Sequence, residues 1–287
     1  MALYTSANDF SFSDELKDPI KIFDSRILCM RTEQVHTRAD PFMFVWNDEL
    51  FLFFESMSIN QPGCIELYKT TDLKKFKHLG IVLKEPHHLS YPLVFRQGSS
   101  VFMIPESVSA GEVALYKFDK FPKGLKKIRT LLIGNYFDSS VIFHEGLWYL
   151  FTTSENGLNL FFTEDIENGL FKAHPQNPIT SDPSICRCGG QPVIVSGTMY
   201  RLAQDGSNKY GGNLNILKIL ELTPSRYCEV MAYENYFSCN DNWNAEGGHH
   251  LSLVDFHGQT IIAVDGQQHD YFINKILSPF FGIFAKN

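Results

Sequence analysis

The chain has 287 residues and a formal net charge of −7 with no run of basic residues, a balance that argues against nucleic acid as a partner. Its apolar residues never form the roughly 20-residue stretch that a membrane-spanning helix needs. The length suffices for a sizeable core, in one large all-β domain or in two smaller ones.

At the start, residues 1–9 carry neither a basic region nor an apolar core, so no secretory signal is expected and the expected location is cytoplasmic. Cysteines 29, 64, 186, 188, 228 and 239 are scattered rather than dense, which suits reduced thiols in a reducing compartment. Cys186-Arg187-Cys188 is too short and isolated to specify zinc. Residues 20–23 and 26–30 read as two strands available to complete a last blade, with residues 9–13 ordered only by such docking.

Residues 38–56 follow as two apolar strands around a polar turn at Asn47, Asp48 and Glu49, opened by Asp40 and closed by Glu55. The pattern returns at residues 91–107, 138–154, 191–205 and 249–265, with openings 51, 47, 53 and 58 residues apart. A period near ~50 with several strands per unit marks a β-propeller. Residues 64–73 and 79–83 supply outer strands of the first unit, 111–118 and 129–132 those of the second, and 158–165 a third strand of the next. Residues 212–220 show a weak helical signal, but alternation explains them equally and they are assigned as strand. The expectation is one all-β domain over 1–287, a single five-bladed β-propeller with four-stranded blades and hairpins starting near 40, 91, 138, 191 and 249. A pair of β-sandwiches is the alternative. Long connections at 84–90, 174–190 and 233–248 precede repeated hairpins, placing loops on one rim, where function usually sits.

In a propeller the first strand of each blade lines the central channel. The repeat therefore places Asp40, Tyr91, Asp138, Gln191 and His249 around one axis, with second strands ending at Glu55, Glu106, Thr153, Asp205 and Asp265. Converging polar groups suggest a binding pocket. Alternatively, Asp-Pro and Asp-Ser pairs simply start strands. Arg38 and Arg187 offer forks for a carboxylate or phosphate, or pair with neighbouring aspartates. The pairs His87-His88 and His249-His250 are acid–base or ligand candidates. Three or four convergent ligands are needed for a metal, and neither a metal nor a cofactor is expected. Tyr91, Trp148 and Trp243 could stack on sugar or belong to the core. Phosphate loops, nucleophile elbows and dinucleotide fingerprints are missing.

The Arg-Ala-Asp-Pro opening at Asp40 and the Phe-Asp-Ser-Ser-Val opening at Asp138 resemble the five-bladed propeller glycosidases, the superfamily of family 43 and of the invertases and levansucrases. A closer resemblance over residues 35–230 is to the propeller domain of plant glucosamine inositolphosphorylceramide transferases and of similar bacterial domains that accompany sugar formyltransferases. It is carried by Ala39-Asp40-Pro41-Phe42, Ser90-Tyr91-Pro92, Pro105-Glu106-Ser107, Asp138-Ser139-Ser140-Val141, His174-Pro175, Gly189-Gly190 and Gln204-Asp205.

The resemblance implies that Asp40 is base or nucleophile and Asp138 the second aspartate that tunes the acid. It also implies a carbohydrate or sugar-nucleotide ligand, and a separate glycosyltransferase or formyltransferase as partner. One departure matters. The blade-four glutamate that serves as general acid in the glycosidases is replaced by Gln191 in Gly189-Gly190-Gln191-Pro192, and glutamine transfers no proton. Glu106 or Glu246 is the available substitute, expected about 5 to 10 Å from Asp40. Arg38, Tyr91, Arg187, Gln191, Asp205, Glu246 and His249 are the expected substrate contacts. The functional expectation is glycosyl hydrolysis or transfer on an intracellular precursor of a surface glycan. A non-catalytic glycan or sugar-nucleotide binding module is the alternative, and a protein-interaction propeller the third reading.

Overall fold

The computed structural model describes residues 1–6, 10–14, 16, 18–23, 35–58, 61–237 and 243–267, and for Val35 and His36 the backbone alone. Among these residues the structure is β throughout, apart from a single 3-10 turn at Val108–Ala110. The earliest strands, β1 (Ala2–Ser6) and β2 (Lys21–Ile22), belong to the last blade. Blade one is β3 (Val35–Trp46), β4 (Glu49–Ser58), β5 (Gln61–Thr70) and β6 (Lys77–Leu83). Blade two is β7 (Ser90–Gln97), β8 (Ser100–Glu106), β9 (Glu112–Lys120) and β10 (Lys123–Ile133). Blade three is β11 (Phe137–His144), β12 (Leu147–Ser154), β13 (Gly157–Thr163) and the two-residue β14 (Lys172–Ala173). Blade four comprises β15 (Arg187–Cys188), β16 (Val193–Val195), β17 (Thr198–Asp205), β18 (Asn213–Leu222) and β19 (Tyr227–Tyr233). Blade five runs β20 (Leu251–Phe256), β21 (Gln259–Val264), β1, β2. The five-bladed propeller expected from the repeat is the fold observed.

Two-residue turns join the inner strand to the second in each blade. Four have both residues at positive φ, namely Asn47-Asp48, Glu145-Gly146, Ser196-Gly197 and His257-Gly258, the backbone that matches strand twist in a tight hairpin. Strand β4 shows why the inner strands are continuously apolar rather than alternating. Its Phe51 and Phe53 pack with Val94, Val101 and Met103 of blade two, while Leu50, Leu52 and Phe54 pack with Leu3, Ile261 and Ala263 of blade five. Both faces of the strand are covered. Burying each such side chain contributes about 1.5–3 kcal/mol.

Closure differs from expectation in its main strand. Residues Lys21–Ile22, within the predicted 20–23 segment, form only the outer edge, and β1 fills the gap, pairing Ala2 with Val264 and Leu3 with Ala263. Met1, Ala2, Leu3 and Tyr4 are buried there, so a segment without evident strand patterning is held by packing. The predicted strand at 26–30, and Cys29 and Cys239, lie outside the described residues.

Blade four also departs from the repeat. Its inner strand is broken at Gly189-Gly190-Gln191-Pro192 into β15 and β16, both paired to β17. The glycines admit blade five: Leu251 N–H donates to Gly189 O at 2.8 Å. A Cβ on Gly190 would stand 2.1 Å from Leu251 O.

Candidate functional site

The site is built on three strained residues. Asp40, Tyr91 and Asp138 have φ of 50°, 45° and 47°, the left-handed region that β-carbon-bearing residues avoid. Each lies where the inner strand slips register against its neighbour, between Ala39 and Phe42, Ser90 and Leu93, and Phe137 and Ser140. Strain of about 1–3 kcal/mol per residue persists only where the surroundings enforce it, and it clusters at functional sites. The same bulge in three successive blades re-aims each side chain at the strand mouth.

Hydrogen bonds from these residues run across the blades. Tyr91 N–H donates to Asp40 Oδ2 at 3.2 Å. Gly190 N–H donates to the Tyr91 hydroxyl at 2.8 Å, and that hydroxyl lies 2.8 Å from Ser140 Oγ, which donates to Gly190 O at 3.2 Å. Asp138 Oδ2 accepts from Arg187 Nε at 2.6 Å and from Gln204 Nε2 at 2.9 Å. Asp265 Oδ1 accepts the backbone N–H of His249 at 2.8 Å and of His250 at 3.1 Å. The ring of His249 stands between two acids, Nε2 3.4 Å from Asp40 Oδ1 and Nδ1 3.1 Å from Asp265 Oδ2.

Five carboxyl groups, those of Asp40, Glu55, Glu106, Asp138 and Asp265, are thus buried together, each at most 7% exposed. Their environments split their proton affinities. Burial opposes ionisation of Asp40, but the hydrogen bond and charge of His249 overcome it and hold the carboxyl below its ordinary range. Burial, reinforced by the charge of Asp138, pushes Glu106 up to about 8 against the pull of Arg187. Glu55 is raised well above the ordinary range by burial and then by the charges of Asp40 and Glu106. Asp138 is raised by burial, with Arg187 opposing. Burial works against a charged His249, yet Asp265 and Asp40 raise it to about 9, whereas burial lowers His250 to about 4. At neutral pH the site therefore holds an ionised Asp40, a proton-bearing Glu106 and an imidazolium between Asp40 and Asp265.

Three ligand atoms from Asp40, His249 and Asp265 lie within 4.8 Å of one another, close enough to face one cation. When no cation is bound, the same three groups form an ion-paired cluster in which both ring nitrogens of His249 face a carboxylate.

Arg187 and His249 stand in this cluster as expected, and so do Asp40, Glu106 and Asp138. Other expected contacts do not. Arg38 stacks over Phe54 and Tyr68, 5.8 Å from each ring, on the face of the blade that packs toward blade five. Tyr91 is fully buried and packs edge-on against Phe42 and His250, so it supports the site from beneath. Gln191, displaced by the glycine break, donates to Val141 O at 3.1 Å. It lines a separate cavity of about 340 Å³ with Phe44, Phe95 and Phe143, toward the hairpin ends of the inner strands. Asp205 caps its own turn by accepting from Ser207 N–H and Oγ. Glu246 lies beside Lys209, its carboxylate 3.4 Å from Lys209 Nζ.

Sequence reasoning missed Gln204 and Tyr210. Arg187 pairs with Gln204 in the β15–β17 ladder, so alternation puts Gln204, not Asp205, on the axial side. Tyr210 sits half exposed on the loop between β17 and β18, its ring 5.3 Å from that of His249 and 5.1 Å from the Arg187 guanidinium. Phe137 covers Arg187 at 5.4 Å, so the guanidinium lies within reach of two aromatic rings. Glycines at 206, 211 and 212 mark a turn near Tyr210 but give no direction.

Residues 25–267 match the family described as glucosamine inositolphosphorylceramide transferase 1, N-terminal. Glucosamine inositolphosphorylceramide transferase 1 of Oryza sativa subsp. japonica is 34% identical over 245 residues, covering 80% of this chain and 33% of its own. The Arabidopsis thaliana protein of the same name is also 34% identical, over 80% of this chain and 32% of its own. The chain thus spans about a third of the length of the curated relatives it matches. Among solved structures, an α-L-arabinofuranosidase of Clostridium thermocellum superposes with a TM-score of 0.61 at 15% identity over 85% of both chains. A glycosyl hydrolase of Bacteroides ovatus gives 0.63 at 10% identity, over 82% of this chain and 83% of its own. These structural likenesses establish the fold.

Proposed function

The chain belongs to the glucosamine inositolphosphorylceramide transferase 1 N-terminal family, and on that premise we propose that its axial site binds a glycosyl unit and acts on it by proton transfer between carboxyl groups. Asp40 is the base or nucleophile. Glu106 is the acid, taking from blade two the part that Gln191 cannot play. Asp138, held by Arg187 and Gln204, positions the ligand and tunes Glu106. The observation that carries this reading is the split between two neighbouring acids, Asp40 held low and Glu106 raised to about 8, which supplies base and acid at one pH. In hydrolysis or transfer, Glu106 would protonate the departing oxygen. Asp40 would then attack the anomeric carbon or take the proton of an attacking hydroxyl.

The strain at Asp40 and Asp138 and the half-exposed Tyr210 beside Arg187 support a built ligand site. Free thiols at Cys64, Cys186, Cys188 and Cys228 fit a reducing compartment, and we extend the proposal to a cytoplasmic sugar-nucleotide or glycan precursor of a surface polysaccharide. A glycosyltransferase or formyltransferase would then be the working partner.

A second reading, a non-catalytic glycan or sugar-nucleotide module, is favoured by one specific observation: Gln191 stands where the glycosidases carry their acid, has no proton to transfer, and turns to Val141 O. A panel of 4-nitrophenyl glycosides and sugar nucleotides separates the two. Catalysis predicts turnover by the parent that falls at least ~100-fold in Glu106→Gln, the scale of general-acid contributions. Binding without turnover, unchanged in that variant, leaves the module reading standing and removes catalysis.

A further inference from the structure

Glu55 is a buried acid of the site with no part in the steps above. It pairs with Ala39 across the β3–β4 ladder, next to Asp40, and is 7% exposed. Its carboxyl faces His88, whose Nε2 lies 3.3 Å from Glu55 Oε1. The orientation of that histidine is set from behind. Gly63 N–H donates to His88 Nδ1 at 3.0 Å, so the ring proton resides on Nε2 and faces the carboxyl. Leu89 N–H in turn donates to Gly63 O at 3.0 Å, so the segment carrying His88 is tied to β5 at one residue in both directions. Only glycine permits the approach, because a Cβ at position 63 would stand 2.6 Å from both His88 Cε1 and Leu89 O.

The groups whose charges act on Glu55 are the carboxyls of Asp40, Glu106 and Asp138 and the imidazolium of His249. His88 itself is neutral, since burial lowers its proton affinity. Burial is the leading cause of the rise and the net negative surroundings reinforce it, so Glu55 keeps its proton.

We propose that Glu55 is a hydrogen-bond-donating acid of the site, fixed beside Asp40 by His88 and Gly63, so that a neutral donor and an ionised acceptor stand together for one ligand. Glu55 Oε1 lies 3.3 Å from His88 Nε2, which leaves Oε2 to offer its proton outward. Asp40 takes a hydroxyl proton while Glu55 gives one to an oxygen that has none to share, such as a ring or glycosidic oxygen. Glu55 is thereby a specificity-determining residue, selecting a hydroxyl adjacent to a proton-free oxygen over two adjacent hydroxyl donors. The ligand half of this inference rests on the glycosyl reading. The proton half stands on the packing of Glu55 alone.

Carbon-13 NMR of the full chain labelled at the glutamate side-chain carboxyl tests the proton directly, with Glu55→Gln and Glu106→Gln assigning the two signals. The Glu55 carboxyl is expected to remain protonated at pH 7, its titration midpoint well above that of an ordinary glutamate. Gly63→Ala, which thrusts a methyl at His88 and Leu89 O, is expected to admit water and move the midpoint toward the ordinary value, with folding checked by melting temperature. A Glu55 signal ionised at neutral pH overturns the proposal, and so does a midpoint unmoved in folded Gly63→Ala. For the ligand half the probes are methyl β-D-xyloside and a uridine-diphosphate N-acetylhexosamine. Glu55→Gln keeps a donor and should bind the better probe within about threefold of the parent, while Glu55→Leu should lose roughly tenfold or more. Equal affinity of the two variants overturns the donor role. If neither probe binds the parent, the glycosyl reading and the ligand half fall together, while the labelled signal still decides the proton.

Discussion

Asp138 and Arg187 come from different blades, 49 residues apart in sequence, and meet in a 2.6 Å hydrogen bond from Arg187 Nε to Asp138 Oδ2. The aspartate side chain is 4% exposed and the arginine 29%, so one partner is desolvated and the other reaches the pocket. The pair joins blade three to blade four and leaves the rest of the guanidinium for a ligand.

Arg187→Ala should destabilise the protein by about 2–4 kcal/mol at neutral pH, because it strands a buried carboxylate. The loss should shrink as pH falls, because burial has raised Asp138 and its protonation leaves less charge for Arg187 to meet. Asp138→Asn removes the charge, keeps an acceptor, and should show little of this pH dependence. Melting temperatures of the two variants across pH 4 to 8 check both statements.

Stability should fall as pH rises from about 6.5 to 9. His249 has a folded-state pKa raised from 6.5 to about 9, so its contribution is complete below 6.5 and lost through 9. Glu106, raised from 4.5 to about 8, holds its proton more tightly in the folded state, so its contribution is complete below 4.5 and is lost as pH rises through about 8. His250 acts oppositely, since it is lowered to about 4 and the unfolded chain takes up more protons between 4 and 6.5. Glu106→Gln should therefore flatten the alkaline limb and, because its slope opposes that of His250 between about 4.5 and 6.5, steepen the acid one. A melting temperature in the parent that stays level from pH 6.5 to 9 contradicts these assignments.

Deleting residues 1–6 should cost more than the loss of a terminal segment usually does. Strand β1 lies between β2 and β21, and its Ala2 and Leu3 are 0% and 1% exposed. The deletion would bare the edge of β21 and the apolar faces of Ile261 and Ala263. Reduced soluble yield and a lower melting temperature are expected. A truncated chain that melts with the parent would show that the ring closes without β1.

Within blade four, Arg201 is completely buried and forks onto Glu229 with bonds of 2.8 and 2.6 Å, and Tyr227 donates to the same carboxylate at 2.5 Å. Glu229→Gln should cost about 3–5 kcal/mol by leaving the guanidinium unpaired, and Arg201→Met with Glu229→Leu together should cost less than either single loss. Denaturant unfolding of the three variants reads the comparison.

The repeat in the sequence was enough for the architecture because the hairpins recur in apolar runs and in turn residues, and both express the same packing in every blade. What it misplaced follows from departures that have no apolar signature. The repeat sets Gln191 at the mouth as the first residue of its fourth copy, but the glycines before it break the inner strand into β15 and β16. Asp205 was preferred over Gln204 by a register error of one residue, which in a strand exchanges the two faces. Glu55 and Asp265 were visible as strand ends, but their burial with Asp40 depends on bulges that only backbone geometry reveals. Tyr210 reaches the site from a loop, and no periodicity points a loop.

The most direct test of the account is a comparison of Asp40→Asn with the parent, by melting temperature and by ligand-induced thermal shift against monosaccharides, oligosaccharides and sugar nucleotides. Asparagine keeps the shape and an acceptor for the Tyr91 N–H but removes the charge that faces His249. The account predicts a folded variant in which the response to the parent's best carbohydrate ligand falls at least ~10-fold in apparent affinity. A folded variant that binds and turns over that ligand as the parent does would place the carbohydrate site elsewhere than the axis.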